Sequence, residues 1–275
     1  MGPSFSFDDF LDRLRAVGTI DVALVREVAL HNLAFLSASK QVRAEHIEGQ
    51  RLQARWYAAL ESGVPDYAIY GTDYYLGELW ACWQVYPRKY LKAIQSPTSL
   101  TTHSIVQDIG PVRSVVDLGC GCGHATAGLK TLFPDAKVFG TNLPDTPQWT
   151  VAQSMARDGG FILVDSLRTL PVPLGLVFAS EFFEHLPSPV AYLREVLSLC
   201  PSHLLIANSF GADAIGHFRT YTVDGYACDG RTTSRLFNAE LRRQGYRKVE
   251  TKLWNNRPAY WVRTAEARHR SRRLA

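Results

Sequence analysis

Two patterns of hydrophobic positions divide the chain near residue 110. In the first part, apolar residues recur every three or four positions, which is the spacing of a helix with one buried face. The segment "SFDDFLDRLRAV" has this spacing, with Ser6 as a predicted N-cap. Two more helices are predicted within 21–36 and 41–61, before an aromatic-rich segment at 67–91. The sequence therefore predicts a helical first part.

Short apolar runs alternate with helical segments after about residue 112. Strands are predicted in "SVVDL", "KVFGT", "FILVD", "LGLVFAS" and "HLLIANS", and a final antiparallel hairpin in "YRKVETKLW" and "AYWVRTA". One helix is predicted from His124 to Leu132, and another begins at Pro147 with Thr146 as its cap. Alternating strands and helices predict a mostly parallel sheet covered on both faces. Ligands bind such sheets at the carboxyl ends of the strands.

Composition restricts the possible classes of protein. The chain has 275 residues, of which 46% are hydrophobic and 20% are charged, as in soluble globular proteins. No run of about 18 apolar residues predicts a membrane span, and the first residues do not resemble a secretory signal. Five scattered cysteines do not form a disulfide framework, so a cytoplasmic location is expected.

The positive charge is concentrated at the end of the chain. The net charge is +4, with 30 Lys and Arg against 26 Asp and Glu. Four of the basic residues are Arg268, Arg270, Arg272 and Arg273, and without them bases and acids are equal in number. The body of the protein is therefore neutral, which disfavours a large nucleic-acid surface on the fold itself. A basic tail at 265–275 leaves a weaker phosphate contact open.

A glycine-rich loop follows the first predicted strand, in "SVVDLGCGCGHATAG" at residues 114–128. Asp117 ends the strand, and Gly119, Gly121 and Gly123 occupy alternate positions. Glycines allow tight turns and a close approach of the backbone to a ligand. The dinucleotide fingerprint G-x-G-x-x-G fits poorly, because its third glycine position is His124.

Five ordered blocks resemble the class I S-adenosylmethionine-dependent methyltransferases. They are "VVDLGCGCGHATAGL", "VFGTN", "FILVDSLRTLP", "LVFASEFFEHLPSPVAYLREVL" and "LLIANS", within residues 110–264. The resemblance implies an α/β fold with a doubly wound, mostly parallel seven-stranded sheet whose last strand is antiparallel. It also implies S-adenosylmethionine as methyl donor and, among the branches, the ubiquinone-pathway O-methyltransferases.

The same resemblance implies a donor-binding set. Asp117 would take the ammonium of the donor, and Asp165 would meet its adenine. Asn142 occupies the place where the family usually has an acid that binds the ribose hydroxyls, so its contact would lack charge assistance. The full set is Asp117, Gly119, Cys120, Gly121, Gly123, Asn142, Leu143, Asp165, Ser166 and Ser180.

Three polar residues after the fourth strand are candidates for the acceptor side. Glu181, Glu184 and His185 stand at i, i+3 and i+4, so a helical turn would place them on one side. Either a carboxylate or the histidine could remove a proton from the acceptor. Together with His217, the three also resemble the metal set of small-RNA 2′-O-methyltransferases, which would suit Mg²⁺ or Mn²⁺. A role in shaping the pocket or capping the next helix stays open.

Three functional hypotheses follow. The first is O-methylation of a small or medium aromatic acceptor, with an N-terminal helical lobe at 1–110 as an aromatic lid over the methyltransferase domain at 111–264. The second is methylation of a nucleic acid held partly by the basic tail. The third is a non-catalytic partner protein with the methyltransferase fold, which the neutral Asn142 would favour.

Overall fold

The computed structural model describes residues 5–37, 46–97, 102–251, 253 and 257–265. The four arginines of the predicted tail lie outside these residues. Before the sheet begins, the described chain forms six helices, and a 3₁₀ turn at Tyr67–Gly71 lies between the third and the fourth. They are α1 Phe7–Arg15, α2 Val22–Ser37, α3 Ile47–Glu61, α4 Asp73–Val85, α5 Pro87–Ala93 and α6 Ile105–Ile109.

Nine strands follow in the described chain. They are β1 Ser114–Leu118, β2 Lys137–Thr141, β3 Ile162–Val164, β4 Leu176–Ser180, β5 His203–Ala207, β6 Thr220–Val223, β7 Tyr226–Asp229, β8 Tyr246–Val249 and β9 Ala259–Arg263. Seven of them form one sheet in the order β3-β2-β1-β4-β5-β9-β8. The first five are mutually parallel, and β9 runs antiparallel to both β5 and β8. The predicted Rossmann-like methyltransferase sheet is confirmed.

Four helices connect these strands and cover the sheet: α7 His124–Leu132, α8 Pro147–Gly159, α9 Pro189–Ser198 and α10 Gly230–Arg243. The predicted bounds of α7 are confirmed. Helix α8 begins as predicted, with the Thr146 hydroxyl accepting from the backbone N–H of Trp149 and Pro147 at its first position. In α1, the Ser6 side chain forms the predicted cap with Asp9.

The hairpin β6–β7 was not predicted. Its two central residues, Asp224 and Gly225, have φ angles of 51° and 85°, as a tight two-residue hairpin turn requires. The Asp-Gly pair between "TYTV" and "YACD" was the available signal. The Tyr221 hydroxyl donates to the Glu184 and Phe210 carbonyls at 3.4 and 3.3 Å. The hairpin therefore fixes the segments that follow β4 and β5.

The N-terminal helices pack on both faces of the sheet. Alternate residues of β1 point to opposite faces, so Val115 and Val116 belong to two different hydrophobic clusters. Trp80 of α4 shares the Val115 cluster, whereas Trp56 of α3 shares the Val116 cluster. Both tryptophans are buried. The helices thus contribute to the same cores as the strands, and the domain boundary near residue 110 stays a prediction. In the described part of the chain, no helix has the length and apolar character to cross a membrane.

Candidate active site

A cavity of about 700 Å³ lies where β1, β2 and β4 end, between the glycine loop and α4. Its position agrees with the rule that ligands bind at the carboxyl ends of parallel strands. The lining residues on the sheet side are Asp117, Gly119, Cys120, Gly121, Thr141, Asn142, Asp165, Ser180 and Glu181. The size falls within the range of about 300–1,000 Å³ that small-molecule sites occupy.

The glycine loop is fixed to the end of β2 by three hydrogen bonds. The backbone N–H of Gly119 donates to Thr141 Oγ1 at 3.0 Å, and that of Cys120 donates to the Thr141 carbonyl at 2.8 Å. Asn142 Nδ2 donates to the Gly121 carbonyl at 2.7 Å. The loop between β1 and α7 is therefore held in one conformation by its neighbouring strand.

Gly119 has no room for a side chain. Its φ is +66°, and a Cβ there would lie 2.3 Å from the ring of Phe182. Gly123 has φ +87° and precedes α7, whose first residues His124 and Ala125 line the cavity. The N-terminus of a helix carries free N–H groups and favours anions. This end of the cavity can therefore hold a carboxylate.

Asp117 places a carboxylate at the same end. Its side chain is 3% exposed and accepts a hydrogen bond of 2.7 Å from the Thr126 hydroxyl. Burial raises the pKa of Asp117 to about 7, and the Thr126 bond opposes this rise. A buried carboxylate that lines a cavity is stabilised in its charged form by a cation. Asp117 and the start of α7 together suit a zwitterionic amino acid group.

Asn142 occupies its predicted place but is engaged differently. Its Nδ2 holds the Gly121 carbonyl, and its Oδ1 accepts from the backbone N–H of Leu143 at 2.9 Å. An acid could not donate to Gly121, so the amide here fixes the loop. Both polar atoms of the Asn142 side chain therefore already form hydrogen bonds within the protein. A ribose hydroxyl would have to form an additional hydrogen bond to one of these two atoms.

Replacing Asn142 with aspartate tests this role. The carboxylate would face the Gly121 carbonyl without a proton to donate, so the loop would lose a hydrogen bond worth about 1 kcal/mol and gain a repulsion. We expect N142D to lower thermal stability and to weaken binding of S-adenosylmethionine about 10-fold in isothermal titration. Tighter binding by N142D would mean that position 142 contacts the ribose instead.

The remaining predicted donor-binding residues divide into two groups. Leu143, Asp165 and Ser180 line the cavity. Ser166 does not line the cavity. Its hydroxyl instead caps the 3₁₀ turn Leu167–Thr169 by accepting from the Arg168 N–H at 3.2 Å. Gly123 is also absent from the lining and serves as the N-cap of α7.

Four buried polar atoms of the described cavity lining have no hydrogen-bond partner within the protein. They are Glu78 Oε2, His124 Nε2, Gln148 Oε1 and Ser180 Oγ. Buried polar groups without partners are rare, and such atoms beside a cavity indicate hydrogen bonds reserved for a ligand. Gln148 was not predicted, although its place near the start of α8, close to the end of β2, was the available signal. Polar groups around the crevice thus fit a nucleoside with an amino acid group.

The Glu-x-x-Glu-His block does not form the predicted one-sided turn. Glu181 has a φ of 52°, and the turn that follows it, Phe183–His185, is a 3₁₀ turn. Glu181 and His185 line the cavity, whereas Glu184 is fully buried. Glu184 Oε1 accepts from the backbone N–H of Ser209 at 2.7 Å and so connects the segments after β4 and β5. The prediction that Glu184 faces the acceptor is corrected to a role inside the protein.

Glu181 and Glu184 share a hydrogen bond in a buried setting. Burial raises the pKa of both, and for Glu184 the charge of Glu181 raises the pKa further. Glu184 is therefore the protonated carboxyl group and the hydrogen-bond donor of the pair, and Glu181 is the ionised acceptor. The Tyr90 hydroxyl lies 3.5 Å from Glu181 Oε1, and the charge of Arg257 also favours the ionised form of Glu181.

His185 is held in one orientation beside the cavity. Its Nδ1 lies 3.2 Å from the Tyr70 hydroxyl, and that hydroxyl also lies 3.3 Å from the Gly216 carbonyl. The ring of His217 stands edge-on to it at 4.7 Å between centroids. Burial lowers the pKa of His185 to about 3, so the ring is neutral at physiological pH. A base this weak suits a hydrogen-bonding role better than proton removal.

The predicted metal set is not assembled. Within the described ranges, no three His, Cys, Asp or Glu side chains are arranged to hold a metal ion. Glu184 is turned into the interior, and His217 Nδ1 lies 3.0 Å from the Ala212 carbonyl. The side chains of Glu181, Glu184, His185 and His217 thus do not converge on one point.

Helix α4 forms the wall opposite the glycine loop. Residues of its inner face recur with helical spacing: Tyr75, Glu78, Leu79, Cys82 and Trp83, with Tyr86 just beyond. The aromatic segment was predicted to cover the acceptor, but Trp80 and Tyr90 are largely buried instead of lining the cavity. Glu78 was missed, although it stands three residues after Tyr75 and four before Cys82.

A comparison with curated proteins also found a methyltransferase. No family model matches the chain. A malonyl-[acyl-carrier protein] O-methyltransferase of Methylococcus capsulatus is 26% identical over 155 residues, which cover 52% of this chain and 56% of the relative. The resemblance to the S-adenosylmethionine-dependent methyltransferases is confirmed. The match spans little more than half of the relative's length.

Solved methyltransferase structures resemble the chain at low sequence identity. A methyltransferase of Aquifex aeolicus is 15% identical with a TM-score of 0.40, covering 64% of this chain and 95% of its own. The mitomycin 7-O-methyltransferase is 14% identical with a TM-score of 0.44, covering 94% of this chain and 74% of its own. The methyltransferase fold described above rests on the strand order and directions of this chain itself.

Proposed function

We propose that the chain binds S-adenosylmethionine and transfers its methyl group to an oxygen of a small or medium aromatic acceptor. The observation that carries the proposal is the single cavity that joins the glycine-loop crevice to Glu181, His185 and an aromatic wall on α4. One end suits the donor and the other suits a flat molecule. The curated relative, named as an O-methyltransferase, supports oxygen as the methylated atom.

The donor would lie along the ends of β1, β2 and β4. Asp117 would pair with its ammonium, and the N–H groups at the start of α7 would bind its carboxylate. Gln148 Oε1, which lacks a partner in the protein, would accept from a ribose hydroxyl, and Asp165 at the rim would accept from the adenine amino group. When bound, the donor supplies a methyl group on a positively charged sulfur that becomes a neutral thioether on transfer.

Glu181 is the residue best placed to receive the hydroxyl proton of the acceptor. It lines the cavity, and its raised pKa brings it nearer to the operating pH, where a general base works best. Glu184 positions it through their shared hydrogen bond. His185, neutral and held by Tyr70, would align the acceptor as a hydrogen-bonding group.

Isothermal titration with S-adenosylmethionine tests the proposal directly. We expect saturable binding with a Kd in the micromolar range. We expect no binding of ATP, because the described lining offers a carboxylate to a cation but no lysine or arginine to a triphosphate. Incubation with methyl-labelled donor and a panel of phenols should then move the label to an acceptor. No binding at near-millimolar donor would instead support the non-catalytic partner hypothesis.

A further inference from the structure

The described lining of the cavity contains carboxyl side chains but no lysine or arginine. The four carboxyl side chains are those of Glu78, Asp117, Asp165 and Glu181. Arg257 is the nearby cation, but its Nη1 donates to the Ser209 hydroxyl at 2.9 Å and it does not line the cavity. A ligand that fills this space therefore meets carboxyl groups, and no lysine or arginine of the described lining stands beside them.

Three of the four carboxyl groups have an assigned partner. Under the proposed function, Asp117 and Asp165 serve the donor. Glu181 has the protonated Glu184, the Tyr90 hydroxyl and the charge of Arg257. Glu78 has no such partner for its Oε2, which is buried and makes no hydrogen bond within the protein. Leaving a buried carboxylate oxygen unpaired is costly unless a ligand satisfies it.

The surroundings of Glu78 suit an organic cation. On the same face of α4, Tyr75 lies three residues before it and Trp83 five residues after it, and both line the cavity. Tyr67 and Tyr70 add two more aromatic rings to the lining. Aromatic faces attract ammonium groups, and the attraction is larger where water is excluded. Burial raises the pKa of Glu78 to about 7, so an approaching cation would also keep its carboxyl group ionised.

We infer that the acceptor carries a basic amine, which Glu78 binds as an ammonium within the aromatic wall of α4. The inference rests on the proposed function and specifies its substrate class: an aromatic hydroxyl compound with a protonated amine, in preference to a carboxylic acid. The amine is a recognition group, and the methyl group goes to the oxygen. An analogue that carries a carboxylate in place of the amine would be repelled by Glu78 and Glu181, because all three groups are negative when ionised.

Three phenols that differ mainly in charge provide the test: tyramine, 4-ethylphenol and 3-(4-hydroxyphenyl)propionate. Each is titrated at pH 8 into protein saturated with S-adenosylhomocysteine. We expect tyramine to bind at least about 10-fold more tightly than 4-ethylphenol and about 100-fold more tightly than the propionate. Glu78→Gln should weaken the binding of tyramine about 10-fold and leave the affinity for 4-ethylphenol unchanged. Unchanged binding of 4-ethylphenol would also show that the variant is folded.

Glu61→Gln is the matched control, since Glu61 is exposed at the end of α3 and should leave all three affinities unchanged. Tyramine that binds no better than the propionate, or that is insensitive to Glu78→Gln, would overturn the inference. Titration of S-adenosylhomocysteine itself separates this failure from failure of the proposed function. If S-adenosylhomocysteine binds but tyramine is not preferred, only the inferred substrate class is wrong and the proposed function still stands.

Discussion

Replacing Asp117 with asparagine is expected to weaken the binding of S-adenosylmethionine about 100-fold or more, a loss of about 3 kcal/mol. The carboxylate is 3% exposed, and the lining offers no second acid at the start of α7 to pair with an ammonium. The asparagine keeps the shape of the side chain and can still accept from Thr126. Isothermal titration with wild-type protein and D117N measures the difference.

Asp135→Asn provides the matched control for this experiment, because Asp135 is exposed in the turn before β2. It should bind the donor like the wild-type protein. If D117N binds within about threefold of the wild type while retaining its fold by circular dichroism, the ammonium lies elsewhere. The donor orientation proposed above would then be wrong.

The same substitution is expected to stabilise the free protein at alkaline pH. Burial raises the pKa of Asp117 from 3.8 to about 7, so between these values the folded protein holds a proton that the unfolded chain has released. The free energy of unfolding of the wild type therefore decreases through this window relative to D117N, which does not titrate there. The difference should be small at pH 4 and on the order of 4 kcal/mol in favour of D117N at pH 8.5.

Chemical denaturation of both proteins at several pH values checks this expectation. Only the difference between the two is informative, because His124 and His185, whose pKa values burial lowers to about 3, change the total stability in the opposite direction. Saturating donor should reduce the difference, since its ammonium stabilises the ionised wild-type carboxylate. A difference that does not depend on pH would mean that Asp117 is ionised in the folded protein throughout.

The secondary structure was largely predictable because its signals are local. Thr146-Pro147 predicts the start of α8 through a hydroxyl acceptor and a fixed φ, and both features are present. The alternation of strands and helices predicts a parallel sheet, and the five parallel strands confirm it. The hairpin β6–β7 was not predicted, because its two strands are only four residues long and the Asp-Gly turn between them is a short signal.

The acceptor side was less predictable because it depends on backbone geometry. Glu181 adopts a left-handed φ of 52°, which a non-glycine residue rarely does outside constrained sites. That conformation and the 3₁₀ turn after it send Glu184 into the interior and leave Glu181 at the cavity. Spacing of i, i+3 and i+4 in the sequence cannot distinguish this arrangement from one turn of α-helix.

The remaining differences between the sequence-based predictions and the structure arise from contacts between residues that are distant in sequence. Asn142 resembles a weakened ribose ligand until its bond to Gly121, 21 positions away, is known. Glu78 lies in a segment whose many aromatic residues indicate packing, and only the structure shows that its Oε2 is buried beside the cavity without a hydrogen-bond partner. Neither relation has a local signature in the chain.

The bonds from Thr141 and Asn142 to the glycine loop have a consequence for the thermodynamics of binding. A backbone that is already ordered loses little conformational entropy when a ligand arrives, so more of the contact energy appears as affinity. Three successive loop residues, Gly119, Cys120 and Gly121, are ordered in this way by the end of β2. Under the proposed function, we expect this preorganisation of the crevice to offset part of the charged ribose contact that Asn142 would not provide.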